Sequence, residues 1–314
     1  MAETLQDLRR EIDETDDALH KLVMRRAELA ERVGRVKAES GEKQVFRPVR
    51  ETQILRRLLQ NHKGNLSKSV IIRIWRELIS ACANLQAPMT AAVFMPERGM
   101  GNLELTRDYF GSFTALLPCK SVNLVLKELT QGEADFAVLS LQDDQSCWWY
   151  ALAQERRRAV AVFAKLPVTG TTTDGRAVFA LGKVPFEASG DDRTLLVVET
   201  DGTISLGTLD LVLKAGGIAT NAIYDSFTPD LTRKAYLFEV DGFMESGDSR
   251  LTAVVEKEDG KITEDISGHE EFILISTEVK GYRLPEHTPC KEAFDAVGDT
   301  FLVDYVRVFD IVEE

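Results

Sequence analysis

Six residues in the first quarter of the chain combine charge with spacing in a way that plain packing does not require: Arg9, Arg26, Lys37, Arg50, Glu51 and Gln86. Arg26 falls on the apolar seam of a long helical pattern, where an unpaired guanidinium would cost several kcal/mol unless an anion met it. Lys37 lies eleven residues on, three turns plus about 20°, so it shares that face roughly 16 Å along the axis. Two long cationic side chains leaning together suit one small dianion. Arg9 is seventeen residues before Arg26, about 25 Å away on a straight helix, and cannot reach the same ligand from the same chain. Its participation requires a second subunit whose long helix runs antiparallel, an intertwined dimer with shared sites. Arg50 and Glu51 lie within a turn or two of Ile54, Leu55 and Leu58 and approach their apolar face, while Gln86 falls on the stripe of Leu78 and Cys82.

The elements that must position these groups are written in the periodicity. Leu5, Leu8, Ile12, Leu19, Leu22, Leu29, Val33 and Val36 recur in steps of three and four, with Thr15 and Arg26 at the missing seam positions. The pattern predicts a helix of about 32 residues and 48 Å, which must pair with other helices. Gly41 and the stretch to Pro48 end it, and Pro48 suits the first turn of a second helix through Leu59. A third helix is expected from about Ser67 to before Pro88, with Ile71, Ile74, Trp75, Leu78, Cys82 and Leu85 on one face. Beyond Pro88, strand and helix alternate: AAVFM (91–95), a helix near Leu103–Phe110, another over Ser121–Thr130, and DFAVLSL (135–141). A further βαββ run begins at Asp192. The apolar run FLVDYVRVFDIV near the end has no assigned place.

Charge follows the same division. Residues 1–88 hold 17 Lys and Arg against 13 Asp and Glu, a net +4, which leaves −17 for residues 89–314 of the overall −13. Such a balance disfavours nucleic acid as a partner. Cys82, Cys119, Cys147 and Cys290 are widely spaced and form no ligand pattern with the four histidines, so neither a disulfide framework nor a metal site is expected. No apolar stretch reaches the roughly 18 residues of a membrane helix, and the charged N-terminus is unlike a signal peptide. The expected compartment is the cytoplasm, with no membrane partner.

LQDLRREIDETDDALHKLVMRRAELAERVGRVK, followed by FRPVRETQILRRL and IWRELISACANLQ, resembles the all-helical chorismate mutases throughout residues 5–87. The family's motif positions fall on the six residues already selected. The resemblance implies rearrangement of chorismate to prephenate, without cofactor or metal, in phenylalanine and tyrosine biosynthesis. It implies that Arg26 and partner-chain Arg9 clamp the substrate carboxylates, that Lys37 and Gln86 donate to the ether oxygen, that Glu51 accepts from the ring hydroxyl and that Arg50 orients the set. Arg47 stands where the family often has an acidic residue and Cys82 where it often has a hydroxyl, two departures that touch substrate positioning.

AAVFMPERGMGNLELTRDYFG and LPCKSVNLVLKELTQGEADFAVLSLQDD are similar to the first lobe of prephenate dehydratases, and DDRTLLVVET to YLFEVDGF resembles their ACT domain. Ser140-Leu141-Gln142-Asp143 replaces the dehydratases' Pro-Ile-Glu-Asn, and Gly175-Arg176-Ala177 replaces Thr-Arg-Phe, which removes the catalytic hydroxyl. Tyr224-Asp225-Ser226-Phe227 stands for Glu-Ser-Arg-Pro, so an aromatic amino acid effector site is lost or altered. The expected organisation is an all-α mutase domain at 1–88, a degenerate α/β dehydratase-like lobe at 89–190, an α+β ACT-like domain at 191–285 and a tail at 286–314. The extension is read as structural or regulatory. The alternatives are a working bifunctional mutase and dehydratase, or a non-enzymatic helical module that docks another enzyme of aromatic biosynthesis.

Overall fold

The computed structural model describes residues 4–42, 44–96, 102–143, 147–154, 160–168, 175–185, 187–200, 205–227, 234–244, 248–250, 273–276 and 300–309. Helix α1 spans Leu5–Ser40, four residues beyond the expected seam. Thr4 caps it by accepting from the Asp7 amide while the Asp7 carboxylate accepts from the Thr4 amide, and Gly41 ends it in the left-handed region at φ 75°. Helix α2 (Pro48–Asn61) opens on its proline, and α3 (Lys68–Gln86) is capped by the Ser67 hydroxyl.

Helix α1 buries no residue against its own chain. All eight seam residues stay exposed, Leu22 to 67% and Leu5 to 65%. Its register with α3 is set where Arg26 meets Leu78 and Gly34 meets Gln86. Both pairs are offset by 52, so the two helices run parallel and the first turns of α1 extend past the start of α3. On α3 the expected apolar face is only half right. Ile74 and Leu85 are half exposed, whereas the fully buried stripe is Ile72, Arg76, Ile79, Ala83. The cause is a second neighbour: α3 packs on α4 of the following module as well as on α1.

That module comprises β1 (Thr90–Phe94), α4 (Leu103–Phe110), β2 (Ala115–Cys119), α5 (Val122–Gln131), β3 (Phe136–Ser140), α6 (Trp148–Gln154), β4 (Ala161–Leu166) and β5 (Val178–Gly182). It continues through β6 (Asp192–Thr200), α7 (Leu206–Ala215), β7 (Thr220–Phe227), β8 (Lys234–Asp241), β9 (Ile273–Ser276) and β10 (Thr300–Phe309). The strands form one sheet in the order β2-β1-β3-β5-β4-β10-β6-β8-β7, with β9 beside β10. Pairings of β1 with β2 and β3 are parallel, as expected where helices cross over. The unassigned C-terminal run is β10, antiparallel to β6 from Leu302 to Phe309 and touching β4 at its last residue. Among the described residues no helix is long and apolar enough to cross a membrane.

The helices are fastened to the sheet by the segment between α1 and α2. Phe46 inserts among Phe110, Phe136 and Phe163, with ring centroids 5.9, 4.5 and 5.2 Å away. Beside it the Gln44 side chain donates to Lys183 O, Arg47 pairs with Glu187 at 3.5 Å, and Arg56 donates to Ser189 O at 3.0 Å. Phe46→Ala removes a ring that is 5% exposed. It should destabilise the protein by about 3–5 kcal/mol, measured by urea unfolding of the full chain.

Candidate active site

The segment that carries Phe46 also shapes a cleft of about 400 Å³ between α1, α2 and α3. Such a volume suits a small metabolite. Its lining includes Arg26, Lys37, Arg47, Arg50, Glu51, Cys82 and Gln86, with Leu29, Val33, Val45 and Ile79 as apolar walls. Seven of the eight residues singled out from the sequence thus meet in one place. Arg9, the eighth, is exposed on the N-terminal part of α1 and lines no part of this cleft.

Each group is held differently. Arg26 Nη1 donates to Leu78 O at 3.1 Å, which anchors the guanidinium to α3 and leaves further N–H groups for a ligand. Lys37 Nζ donates to Gln44 O at 2.7 Å and lies 3.7 Å from Glu42. Arg47 donates to the same Glu42 carboxylate at 2.7 Å, and its hydrogen bond holds that carboxyl below its usual range. Arg50 stands exposed at the rim. Gln86 Nε2 donates to Cys82 O at 3.3 Å, while its Oε1 is buried without a partner among the described residues. Cys82 itself is buried.

Glu51 is the carboxylate in the lining. Burial is the largest influence and pushes it up to about 7, against the opposing pull of Arg76 and Arg26. Arg76 was not anticipated from the sequence. Its Nη1 donates to Glu51 Oε2 at 2.9 Å, and its guanidinium lies 4.1 Å over the Tyr109 ring. A signal existed: Arg76 interrupts the spacing of Ile72, Ile79 and Ala83, an arginine in an otherwise apolar stripe. The single buried face expected of α3 hides it.

The cleft therefore gathers four cations around one carboxylate and one amide, which equips it to hold an anion bearing an uncharged hydrogen-bonding end. Residues 8–87 match the family model described as Chorismate mutase type II. The helical module is a type II chorismate mutase domain. The chain is 33% identical over 143 residues to a bifunctional chorismate mutase/prephenate dehydratase of Pseudomonas aeruginosa, covering 44% of this chain and 39% of that protein. A bifunctional chorismate mutase/prephenate dehydratase of Aquifex aeolicus is 29% identical over 145 residues, 45% of this chain and 40% of that protein. The chain thus matches about two fifths of the length of these relatives. Both matches are longer than the mutase domain and run into the sheet-containing part. Among solved structures, a prephenate dehydratase of Arthrobacter aurescens in complex with L-Phe aligns at a TM-score of 0.39, with 14% identity, over 53% of this chain and 84% of that one. A quorum-quenching acylase, GqqA, aligns at 0.39 with 13% identity, over 52% and 87%.

Outside the mutase domain, the two stretches that depart from the dehydratase pattern lie side by side. Asp143 accepts from the Ser140 amide at 2.7 Å and lies 3.5 Å from Arg176, which also donates to Asn102 at 3.2 Å. Asp143 and Asn102 are buried and hydrogen-bonded to each other. Trp148 and Trp149, at 1% and 0% exposure, belong to the core behind them.

Gly34 sets how closely α1 and α3 approach at the cleft. A Cβ there would lie 3.1 Å from Gln86 Cα and 3.3 Å from its Cβ and Cγ. Gly34→Val should destabilise by about 1–3 kcal/mol through overpacking. Gly34→Ala should cost less, because alanine regains about 1 kcal/mol of helix propensity. Urea midpoints should rank glycine and alanine above valine; a valine variant as stable as the parent would contradict the close approach.

Proposed function

We propose that the protein is a chorismate mutase, working as a homodimer in phenylalanine and tyrosine biosynthesis. The convergence of seven assigned residues on one cationic cleft supports this most directly. The substrate carries two carboxylates and an ether oxygen that gains negative charge as its C–O bond breaks. Arg26 and Arg9 of the partner subunit clamp the carboxylates and hold the compact conformer, which converts binding energy into orientation. Lys37 and Gln86 donate to the ether oxygen, where charge grows only toward the transition state, so their hydrogen bonds strengthen as the barrier is climbed. Gln86 meets this role through its amide nitrogen. Glu51 accepts from the ring hydroxyl. Arg50 and Arg47 complete the positive field, and Cys82 contributes to the floor.

The dimer rests on two observations. Arg9 lies too far from the cleft of its own chain, and the seam of α1 exposes eight apolar residues in a row interrupted at Thr15 and Arg26. Such a row on one helix is covered by a partner helix in stable proteins. In this reading the mutase domain is residues 1–88, followed by a degenerate dehydratase-like lobe at 89–190, an ACT-like unit at 191–285 and a tail at 286–314. The lobe does not dehydrate prephenate, because Gly175 and Ala177 flank Arg176 where a hydroxyl residue would be needed.

Purified protein should convert chorismate to prephenate and leave added prephenate intact. Phenylpyruvate formation at an enzymatic rate would favour the bifunctional alternative, and unchanged chorismate would favour the docking module. Arg26→Ala and Arg9→Ala should each reduce turnover by several orders of magnitude. Co-expressed as a mixture, the two variants should recover about a quarter of wild-type activity, since half the dimers are mixed and each mixed dimer holds one intact site. No recovery in the mixture would exclude shared sites.

A further inference from the structure

We propose that Arg76 and Tyr109 are positioning residues for the Glu51 carboxylate, so that the sheet-containing module completes the mutase site rather than merely accompanying it. The inference rests on the mutase reading above and adds to it residues outside the mutase motif, one of them outside the mutase domain.

Arg76 Nη1 holds Glu51 Oε2 at 2.9 Å, with the two side chains only 2% and 9% exposed. The other oxygen, Oε1, has no hydrogen-bond donor among the described residues, which leaves it to accept from a hydroxyl bound in the cleft. Arg76 is fixed on its far side by the second module. Its guanidinium lies 4.1 Å over the Tyr109 ring, and Tyr109 is 3% exposed. Tyr109 meets Phe110 edge-on at 4.9 Å, Phe110 stacks on Phe136 at 4.7 Å, and Phe136 is one of the rings that grip Phe46. The aromatic set that anchors the loop before α2 is therefore the set that backs Arg76. A guanidinium on a ring face gains more when desolvated than when exposed, so the stack has a defined geometry to impose.

Arg76 and Arg26 act on the Glu51 carboxylate directly and Tyr109 lies within its field, while Lys37, Arg47, Arg50, Cys82 and Gln86 share its cleft. None is a second carboxylate. Glu51 accepts the substrate hydroxyl most strongly when ionised, and burial pushes its carboxyl up to about 7. A cation whose task is to hold that charge should leave its mark on the acid side of the pH profile. One that only packs should not.

The test is chorismate turnover by the full chain as a function of pH, for wild type, Arg76→Gln, Arg76→Lys, Tyr109→Leu and Tyr109→Phe, with circular-dichroism melts to verify folding. For wild type, kcat/KM should fall on the acid side as Glu51 gains a proton. Arg76→Gln should move that limb upward by about one pH unit, a loss of about fivefold at pH 7 that approaches tenfold in more acidic buffer and recovers in alkaline buffer. Arg76→Lys should restore part of the shift, Tyr109→Phe should keep the wild-type profile, and Tyr109→Leu should shift it in the same direction by less. If Arg76→Gln does not fold, Tyr109→Leu carries the test, since it empties part of an apolar site without stranding a charge. A limb that stays in place, or a loss equal at every pH, overturns the proposal while the mutase reading stands. A wild-type protein without turnover removes the mutase reading and this proposal with it.

Discussion

A carboxylate and a guanidinium 2.9 Å apart, both removed from water, lie between the cationic cleft and the sheet. Desolvating such a pair costs several kcal/mol per ion, and only close geometry with further partners repays it. Here the further partners come from both directions: Arg26 on the cleft side, and Tyr109 with its aromatic neighbours on the other. The pair can exist only where α2, α3 and α4 meet. Its burial therefore presupposes that helices and sheet are already docked, which makes the junction between the two modules part of the site's construction.

The same junction explains how the cleft is kept open and charged. Lys37 and Arg47 both converge on Glu42, and Lys37 also bonds the backbone of Gln44. The next residue but one, Phe46, is sunk in the aromatic cluster. A short polar segment is thus tied to α1 by ion pairs and to the sheet by a ring. Loops that carry binding residues gain precision when their backbone is anchored in this way.

The helical boundaries, the cationic set and most strands could be read from the sequence because each depends on local signals: a seam of leucines, a capping serine, a proline at the first turn, alternation in short apolar runs. Helix α4 and its position beyond Asn102 were legible for the same reason. What could not be read depends on residues distant in the chain. Arg76 is interpretable only once Tyr109, thirty-three residues on, is known to lie above it. The C-terminal run is plainly strand-forming, yet its insertion between β4 and β6 is a matter of sheet order, which no local periodicity specifies. The burial of Phe46 is likewise a long-range matter, because the rings it joins come from α4, β3 and β4.

The parallel register of α1 and α3 carries the opening turns of the long rod past the start of α3, away from the described helices of their own chain. Short isolated helices are marginal in water, even with a good cap such as Thr4 and Asp7. In the homodimer proposed above, order at that end is a matter of mass action: crowding of molecules winds it tight, and dilution lets it fray. Arg9 sits on those turns, so in that assembly the first thing lost on dilution is a single arginine's aim.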